Sequence, residues 1–452
     1  MPGLLLCLLS ALASHAQVST DPFNPNVDGP VQAIVIQSDG KIVLGGDFST
    51  VGGEDHAGLV RLNADGTIDP SFTAQVTGDG IISQARVLAL ALQPDGAIIV
   101  GGQFDSLGGQ PRQGLGRVNA NGSVDLGFAP AAGYGVYALA LQPDGQIIVG
   151  GYFSTLAGST RQSLGRLRSN GALDSSFIAN VQGGEGNGSV STLAVQTDGK
   201  IVVGGSFATL AGQPRNGGIG RVNSDGSPDL DFNPGTDGYV ETVLVQGDGK
   251  ILVGGGFANL AGGPRSNIGR LDSDGNLDTA FNPGASNRVW TLALQPDGKI
   301  LAGGEFTGLG GRPRSHLGRL DSAGNTDTNF NPGANSNVGS LAVQPDGKIL
   351  VGGSFLVLGG AFREFVGRVY PIPLPYMTIR HFATNGAAQI QFTNTTAMTY
   401  SVFASSDIAS PLPNWVGLGP ATVVPFTQNK IFQFTDLAAT NFPRRFYQLR
   451  SP

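Results

Sequence analysis

The sequence predicts an all-β protein: a seven-bladed β-propeller closed by its N-terminal strand and followed by a small β-sandwich domain. Three observations predict this fold class. A unit of about 50 residues recurs seven times, each unit contains four strand-like segments, and glycine supplies 71 of the 452 residues while charged residues make up only 13%. Such a composition is typical of turn-rich β folds rather than of helices.

The repeat is aligned on the glycine of a Q-x-D-G motif. This glycine occurs at Gly40, Gly96, Gly145, Gly199, Gly249, Gly298 and Gly347. The Asp beside it is explained by turn geometry, because Asp-Gly supplies the positive φ that tight hairpins need. One unit cannot bury both faces of its sheet, whereas a ring of seven units buries them all.

Four segments in each unit alternate between apolar runs and turns. Examples are Val136–Gly145 for the first segment, Lys250–Phe257 for the second, Asn267–Gly275 for the third and Asn276–Gly284 for the short fourth. The Gly pair of the second segment, Gly303–Gly304 in the sixth unit, recurs in all seven copies and indicates close backbone approach or a bulge. We therefore expect four antiparallel strands per blade, with the blades converging at the Gly pairs.

The ends of the repeat region complement each other. The seventh unit runs through Phe365–Tyr370, enters the proline-rich Pro371–Pro375 and lacks a fourth strand. The stretch Ser19–Asn26 matches the fourth-strand stretch Asp327–Gly333. The N-terminal stretch is therefore predicted to supply the outer strand of the last blade.

The chain divides into a signal peptide (1–16), a propeller (17–370), a proline-rich linker (371–377) and a C-terminal β-sandwich (378–452). The short apolar core Leu4–Ala13 and the small residues that end at Ala16 indicate export, to the cell surface or beyond it. Cys7, the only cysteine, lies in that leader, so no disulfides are expected. The sequence has no basic patch and no later long apolar run, so we expect neither a nucleic-acid partner nor a transmembrane segment. We also expect the protein to be a monomer.

The pattern "LALQPDGKILVGG-F…G…R…LGRLN-DGS-D-FNPG", spread over Ser19–Tyr370, resembles the delta-60 repeat family of exported bacterial proteins. The C-terminal stretches "YSVFASSD", "NWVGLG", "FQFTD" and "RFYQLR" resemble fibronectin-like modules. The first resemblance implies a propeller in an extracellular or cell-surface setting. It implies no established activity, and it carries over no catalytic residues.

One arginine occupies the same third-strand position in every unit. This first arginine series is Arg61, Arg117, Arg166, Arg221, Arg270, Arg319 and Arg368. A ring of seven could bind an anion, but a residue present in every blade follows the scaffold rather than one site. The sequence favours a structural residue that pairs within its blade, with an Asp of a tight turn as the suggested partner.

A second series lies between the second and third strands, where the loops are expected to be more exposed. This second arginine series is Arg112, Arg161, Arg215, Arg265, Arg314 and Arg363, with His56 in the first unit. The inserts Thr73–Arg86 and Ile178–Ser191, which contain Asp79 and Glu185, fall on the same face of the ring. These residues are the ligand-face candidates, although the inserts could equally be tolerated length variation.

The sequence contains no strong catalytic or metal motif, and no catalytic residue, metal ligand or cofactor is predicted. A calcium loop at Asp272–Asp278 is a weak alternative, since its Gly lies at the fourth position and no Glu follows. The prediction is an exported, non-enzymatic interaction scaffold that binds a protein or a polysaccharide through the long-loop face. The alternatives are an extracellular carbohydrate-active hydrolase or lyase with acids at the propeller axis, and a purely structural surface component.

Overall fold

The computed structural model describes residues 20–78, 85–183 and 188–371 in full, together with the backbone of seven strands between 376 and 450. The described part of the chain is all-β, and none of its residues forms a helix that could span a membrane. Residues 1–373 and 374–452 form two separate compact units. The first unit contains the seven repeats, and each repeat forms one blade.

Each blade contains a sheet of three antiparallel strands in chain order. The first strands are Val31–Ile36, Arg86–Leu92, Gly135–Leu141, Ser189–Val195, Tyr239–Val245, Val289–Leu294 and Val338–Val343. The second strands are Ile42–Gly46, Ile98–Gln103, Ile147–Tyr152, Ile201–Ser206, Ile251–Gly256, Ile300–Gly304 and Ile349–Gly353. The third strands are Leu59–Leu62, Leu115–Val118, Leu164–Leu167, Ile219–Val222, Ile268–Leu271, Leu317–Leu320 and Val366–Val369. Blades one to seven are numbered in this order.

The fourth strand is shorter than the sequence predicts. In blade five it is reduced to one bridge, between Leu271 and Leu277. The next residue explains why the ladder stops, because the carboxylate of Asp278 accepts a hydrogen bond from the backbone N–H of Ala280 at 3.2 Å. A carboxylate that binds the backbone two residues later turns the chain away from the sheet.

The first strands surround the axis. The first strand of every blade contacts the first strands of the two neighbouring blades, and that of blade seven contacts that of blade one. The second and third strands follow outwards in each sheet. The seven sheets therefore close into a ring whose axis is lined by the first strands, which is the arrangement of a β-propeller.

The Gly pair serves two close approaches. A Cβ on Gly303 would lie 2.5 Å from Cγ1 of Val338 in the next blade, and a Cβ on Gly304 would lie 2.2 Å from the carbonyl oxygen of Arg288 in its own blade. The first glycine thus lets the next blade pack against the sheet, and the second lets the first strand bulge. The same contact with Val31 at Gly352 joins blade seven to blade one.

The N-terminal segment completes blade seven, as the repeat alignment predicts. Thr20 forms the bridge with Val369, and the backbone N–H of Asp21 donates to the carbonyl of Arg368 at 3.0 Å. Phe23 is 1% exposed and packs in a core that contains residues of blades one and seven. The guanidinium of Arg368 stacks 4.8 Å from the centre of the Phe23 ring.

The arginine of the third strand joins each blade to the next. In blade four the Nε of Arg221 donates to Oδ2 of Asp229 at 2.8 Å, and its Nη1 donates to the carbonyl of Ser273 in blade five at 2.5 Å. The same guanidinium stacks 4.3 Å from the centre of the Phe232 ring. Arg221 is thereby held by a carboxylate, a backbone carbonyl and an aromatic face while it remains buried.

This arrangement recurs in every blade and forms a closed circuit. The next-blade carbonyls that accept from the first arginine series belong to Ala120, Ser169, Ser224, Ser273, Ser322, Pro371 and Ala64. The last contact, from Arg368 to Ala64, runs from blade seven to blade one. The paired carboxylate follows the fourth-strand bridge, as Asp229 does in blade four, and is not the tight-turn Asp that the sequence suggested.

These carboxylates contribute stability that depends on pH. Burial raises the pKa of Asp229, but the hydrogen bonds and charges of Lys200 and Arg221 outweigh burial and lower it below its usual value. A carboxyl whose pKa is lowered by folding stabilises the folded state above its unfolded pKa, near 3.8. This contribution is lost as the pH falls through the lower, folded-state pKa.

The two faces of the ring differ. One face carries the tight turns that join the first to the second strand and the third to the fourth-strand position. The opposite face, called the long-loop face, carries the connections between blades and one small hairpin per blade that the sequence did not predict. The hairpins are Thr50–Val51 with Glu54–Asp55, Ser106–Leu107 with Gln110–Pro111, Thr155–Leu156 with Ser159–Thr160, Thr209–Leu210 with Gln213–Pro214, Asn259–Leu260 with Gly263–Pro264, Gly308–Leu309 with Arg312–Pro313 and Val357–Leu358 with Ala361–Phe362. Val76–Thr77 and Val181–Gln182 extend two of them.

The C-terminal unit contains two antiparallel sheets, as a β-sandwich requires. One sheet has the order Tyr376–His381, Ala388–Asn394, Lys430–Asp436 and Thr422–Val423. The other has the order Val416–Pro420, Ser401–Ser405 and Phe446–Arg450. The first strand of this unit, Tyr376–His381, begins within the segment 371–377 that the sequence assigns to the linker.

Replacing Arg221 with Met is expected to lower the free energy of unfolding by about 2 kcal/mol, because Asp229 keeps only Lys200 as a charged partner and the carbonyl of Ser273 loses its donor. Chemical denaturation at pH 7 measures this loss. Arg312→Met, at an exposed arginine, is the matched control and is expected to change stability by less than about 0.5 kcal/mol. Equal stabilities of the two variants would show that the arginine circuit does not hold the blades together.

Removing residues 17–26 is expected to lower the thermal midpoint sharply or to drive association through the open edge of blade seven. The deletion removes the buried ring of Phe23 and leaves Arg368 without the carboxylate of Asp21. Calorimetry and light scattering measure these effects. A synthetic peptide of residues 17–26 is expected to restore the midpoint when added back, whereas an unchanged, monomeric truncated protein would contradict the closure.

Candidate functional site

The second arginine series is less exposed than the sequence predicts. Arg265 is 4% exposed, and its guanidinium donates to the carbonyls of Pro264 at 2.7 Å and Asp278 at 3.0 Å, both within its own blade. Arg112, Arg215, Arg314 and His56 are likewise buried, and Arg161 and Arg363 are half-buried. The expectation of exposure was wrong because the loop folds back over the third strand, where a Cβ on Gly269 would lie 3.2 Å from Cγ of Arg265.

The other ligand-face candidates, Asp79 and Glu185, lie outside the described residues. The described flanks of the first insert border an open cleft of about 370 Å³ between blades one and two. The cleft contains Asp28 and Asp47. Asp28 accepts hydrogen bonds from the backbone N–H of Ser49 at 2.8 Å and from Oγ1 of Thr50 at 2.9 Å, so its carboxylate is committed to the loop.

The calcium alternative falls on a tight turn whose first carboxylate has other partners. Asp272 accepts hydrogen bonds from the backbone N–H groups of Asp274 and Asn276, each at 2.9 Å, and from Nδ2 of Asn276 at 3.0 Å. Burial raises the pKa of Asp272, but these hydrogen bonds outweigh burial and lower it. The geometry is that of a self-contained turn, and whether calcium binds there stays a prediction.

A β-bulge interrupts the first strand of every blade. In blade five Val240 pairs with Gly255 and Thr242 with Gly254, so Glu241 is the extra residue. Bulges of this kind occur next to active sites, where they redirect a side chain. Since the first strands begin on the long-loop face and surround the axis, the seven bulges form a ring at the long-loop mouth of the axis.

The bulge residues are all different, although the repeat is otherwise regular. They are Gln32, Leu88, Tyr137, Ser191, Glu241, Trp290 and Gly339. Every bulge follows a buried Val and precedes a small Ala, Thr or Ser. All seven bulge residues are half-buried. The repeat therefore keeps a Val before the bulge and a small residue after it, while the half-buried bulge residue varies from blade to blade.

Blades two and three contribute a first wall, which consists of Arg86, Gln103, Tyr134, Tyr137 and Tyr152. Nε of Arg86 donates to Oε1 of Gln103 at 2.7 Å, and Nε2 of Gln103 lies 3.5 Å from the hydroxyl of Tyr137. Tyr134 and Tyr152 are exposed, with ring centres 5.5 Å apart at 81°. Burial raises the pKa of Tyr137, and the two other tyrosines add to that rise.

Blades five and six contribute a second wall, which consists of Tyr239, Glu241, Arg288, Trp290 and Glu305. The guanidinium of Arg288 lies 5.7 Å from the centre of the exposed Tyr239 ring. Burial raises the pKa of Glu241, the positive charge of Arg288 lowers it, and the negative charge of Glu305 raises it further. The described residues contain no ion pair of Glu241 within 4.0 Å, although its carboxyl group interacts electrostatically with Arg288 and Glu305.

The sequence could have indicated these residues only in part. Aligning the seven units shows that the residue after the constant Val varies. The alignment does not show that this residue is bulged, that it reaches the axis or which neighbours it contacts. The alternative of an enzyme with acids at the propeller axis named no residues, and in the structure Glu241 and Glu305 are the acids of the second wall.

The chain is similar to known proteins at the level of solved structures and of a family model. No curated protein matches the chain. Among solved structures, the chain is similar to a structure of streptogramin B lyase, at 13% identity over 79% of this chain and 99% of that one, with a TM-score of 0.45. It is also similar to PorZ, an essential surface component of the type-IX secretion system of Porphyromonas gingivalis, at 12% identity over 93% of this chain and 65% of that one, with a TM-score of 0.42. A protein from Lactobacillus plantarum matches at 12% identity over 75% of this chain and 99% of that one, with a TM-score of 0.33.

Such distant likeness carries no argument about activity. The match to a family model is broader and covers all seven blades. The matched residues are 37–72, 93–128, 142–177, 196–232, 246–281, 295–330 and 344–365, which together exceed half of the chain. The chain therefore belongs to the family described as "Domain of unknown function (DUF5122) beta-propeller".

Proposed function

We propose that this protein is an exported, non-enzymatic propeller scaffold that binds a polysaccharide at the long-loop mouth of its axis. The observation that carries the proposal is the ring of bulges, in which seven different residues stand between a constant Val and a small residue. Departures from a repeat are expected where a ligand, rather than the scaffold, sets the residue. Export and an extracellular or cell-surface location rest on the N-terminal leader and on the delta-60 resemblance.

The chemistry of the two walls suits sugars. The exposed rings of Tyr152 and Tyr239 offer flat apolar faces on which the C–H groups of a pyranose can pack. Arg86, Gln103 and Glu241 offer hydrogen-bond donors and acceptors for hydroxyl groups. A mouth with aromatic faces and a few polar groups is the usual composition of a small-molecule or sugar site.

A protein partner has less support. Stable protein interfaces contain a buried apolar core. The exposed large apolar residues outside the walls, such as Leu126, Ile178 and Leu230, lie on the connections that follow the third strands of different blades. Isolated exposed residues of this kind are normal on a protein surface and form no interface core.

An enzyme acting on extracellular carbohydrate is the second candidate, favoured by Glu241 and Glu305. Two carboxylates on neighbouring blades, one with a pKa raised by burial, resemble the acid and base of glycoside hydrolysis. A raised pKa favours the protonated form of Glu241, which is the form that a general acid requires. Incubating the protein with a bound glycan and measuring new reducing ends tests this candidate, and turnover that Glu241→Gln abolishes would replace the binding role.

Purified residues 17–452 are expected to bind glycans on an array, and Tyr239→Ala is expected to weaken the tightest interaction about tenfold through loss of a stacking face. Phe362→Ala, at an exposed aromatic residue outside both walls, is the matched control. Isothermal titration with the selected glycan measures both variants. Loss of binding in both variants, or in neither, would place the site elsewhere, and the absence of any glycan binding would favour a structural component.

Glu241→Gln is expected to stabilise the protein more at pH 8 than at pH 4. Because burial raises the pKa of Glu241, ionisation destabilises the folded state as the pH rises through that pKa, and the neutral amide removes this penalty. Thermal midpoints at the two pH values measure the difference. Asp274→Asn, at an exposed carboxylate on a tight turn, is the control and is expected to shift both midpoints equally little. A destabilised Glu241→Gln variant at pH 8 would assign Glu241 a structural role.

A further inference from the structure

The size of the side chains at the mouth varies around the ring. Each blade contributes the residue before its constant Val, the bulge residue and the residue after its Gly pair. In blade four these are Ser189, Ser191 and Ser206, and in blade seven they are Asn337, Gly339 and Ser354. The tyrosine, tryptophan and arginine side chains at these positions belong to the first wall, on blades two and three, and to the second wall, on blades five and six, whereas blade one contributes Pro30, Gln32 and Asp47.

Each wall is made by the same device. In the first wall a Cβ on Gly135 would lie 2.8 Å from Cε1 of Tyr137 and 3.1 Å from Cγ of Gln103. In the second wall a Cβ on Gly256 would lie 3.1 Å from Cγ of Arg288. A glycine on one blade thus makes room for a large side chain from the same or a neighbouring blade, and the walls are packed rather than loosely exposed.

The order of the blades places the first and second walls on opposite sides of the axis. Seven blades divide the circle into steps of about 50°. The centres of the two walls are three steps apart, which puts them on nearly opposite sides of the axis. On one side of the axis the walls are separated by blade four, and on the other side by blades seven and one, where Oε1 of Gln32 would lie 3.3 Å from a Cβ on Gly339. None of these three blades contributes an aromatic ring or an arginine at the mouth positions, and the two gaps between the walls are called the open ends.

We propose that the two walls flank a groove across the axis, open at blade four and at blades seven and one, that binds an internal stretch of a linear, uncharged polysaccharide. The inference rests on the proposed function and specifies its ligand. Tyrosines occur in both walls, so a sugar chain lying in the groove would have a stacking face on either side. Two open ends let the chain continue beyond the groove, so no chain end is required.

The charges favour an uncharged chain. Arg86 and Arg288 face the mouth together with Glu241 and Glu305, so the walls carry no excess of one sign at neutral pH. An acidic polysaccharide would bring its carboxylates towards Glu241 and Glu305, and an uncharged one avoids this repulsion. Each charged group can instead bind hydroxyl groups of the sugar.

The test compares cello-, manno- and xylo-oligosaccharides of two to eight units, with polygalacturonate as the acidic comparator. Wild-type affinity is expected to rise with chain length, to tolerate a label at the reducing end, and to be weakest for polygalacturonate. Ser191→Trp and Gly339→Trp block the two open ends without changing a wall residue. Each is expected to weaken binding of the longest oligosaccharide at least tenfold, while Ser322→Trp, at an exposed serine on the tight-turn face, leaves it unchanged.

The outcomes separate the groove from the proposed function. A wild-type protein that binds no glycan, here or on the array, would overturn both, whereas one that binds only charged or branched glycans would overturn the groove and retain the sugar site. Binding that Tyr239→Ala weakens but that both blocking variants leave intact would overturn the groove and retain the sugar site, as would tightest binding of the disaccharides. Thermal midpoints check that each variant is folded, and Ser206→Trp replaces Ser191→Trp if that variant unfolds.

Discussion

The hydrogen bonds from the arginine of each third strand to the next blade are the interaction on which the ring depends. Arg221 joins the carboxylate of its own blade, Asp229, to the backbone of the next one through Ser273. An arginine fits because its planar guanidinium can bind a carboxylate, a carbonyl and an aromatic face at once. With Arg368 bound to Ala64, the circuit has no free end.

The residues that join neighbouring blades differ from the residues that we propose bind a ligand. Third-strand arginines, Gly pairs and the constant Val of each first strand hold neighbouring blades together, so they are repeated seven times. The bulge residues, in contrast, differ from blade to blade. Glu241 illustrates the separation, because burial raises the pKa of a carboxyl group that has no ion pair among the described residues. A group that disfavours the folded state is typical of a functional site.

Much of the fold follows from the spacing of glycines and apolar runs. The seven units, the three long strands in each and the match between Ser19–Asn26 and Asp327–Gly333 predicted the ring and its closure, because turns and strand periods are local properties. The predicted exposure of Arg265 and its equivalents was wrong. Their loops form hairpins that lie over the third strand, and a contact between loop and strand cannot be read from loop composition.

The sequence by itself determined the number of blades, the all-β class and which residues repeat. These depend on short-range patterns that each unit expresses independently. Only the tertiary structure decided that Glu241, Arg288 and Trp290 lie at the same mouth of the ring. Residues on different blades come together only when the ring closes, and the bulge that carries Glu241 and Trp290 is a shift in register between two paired strands.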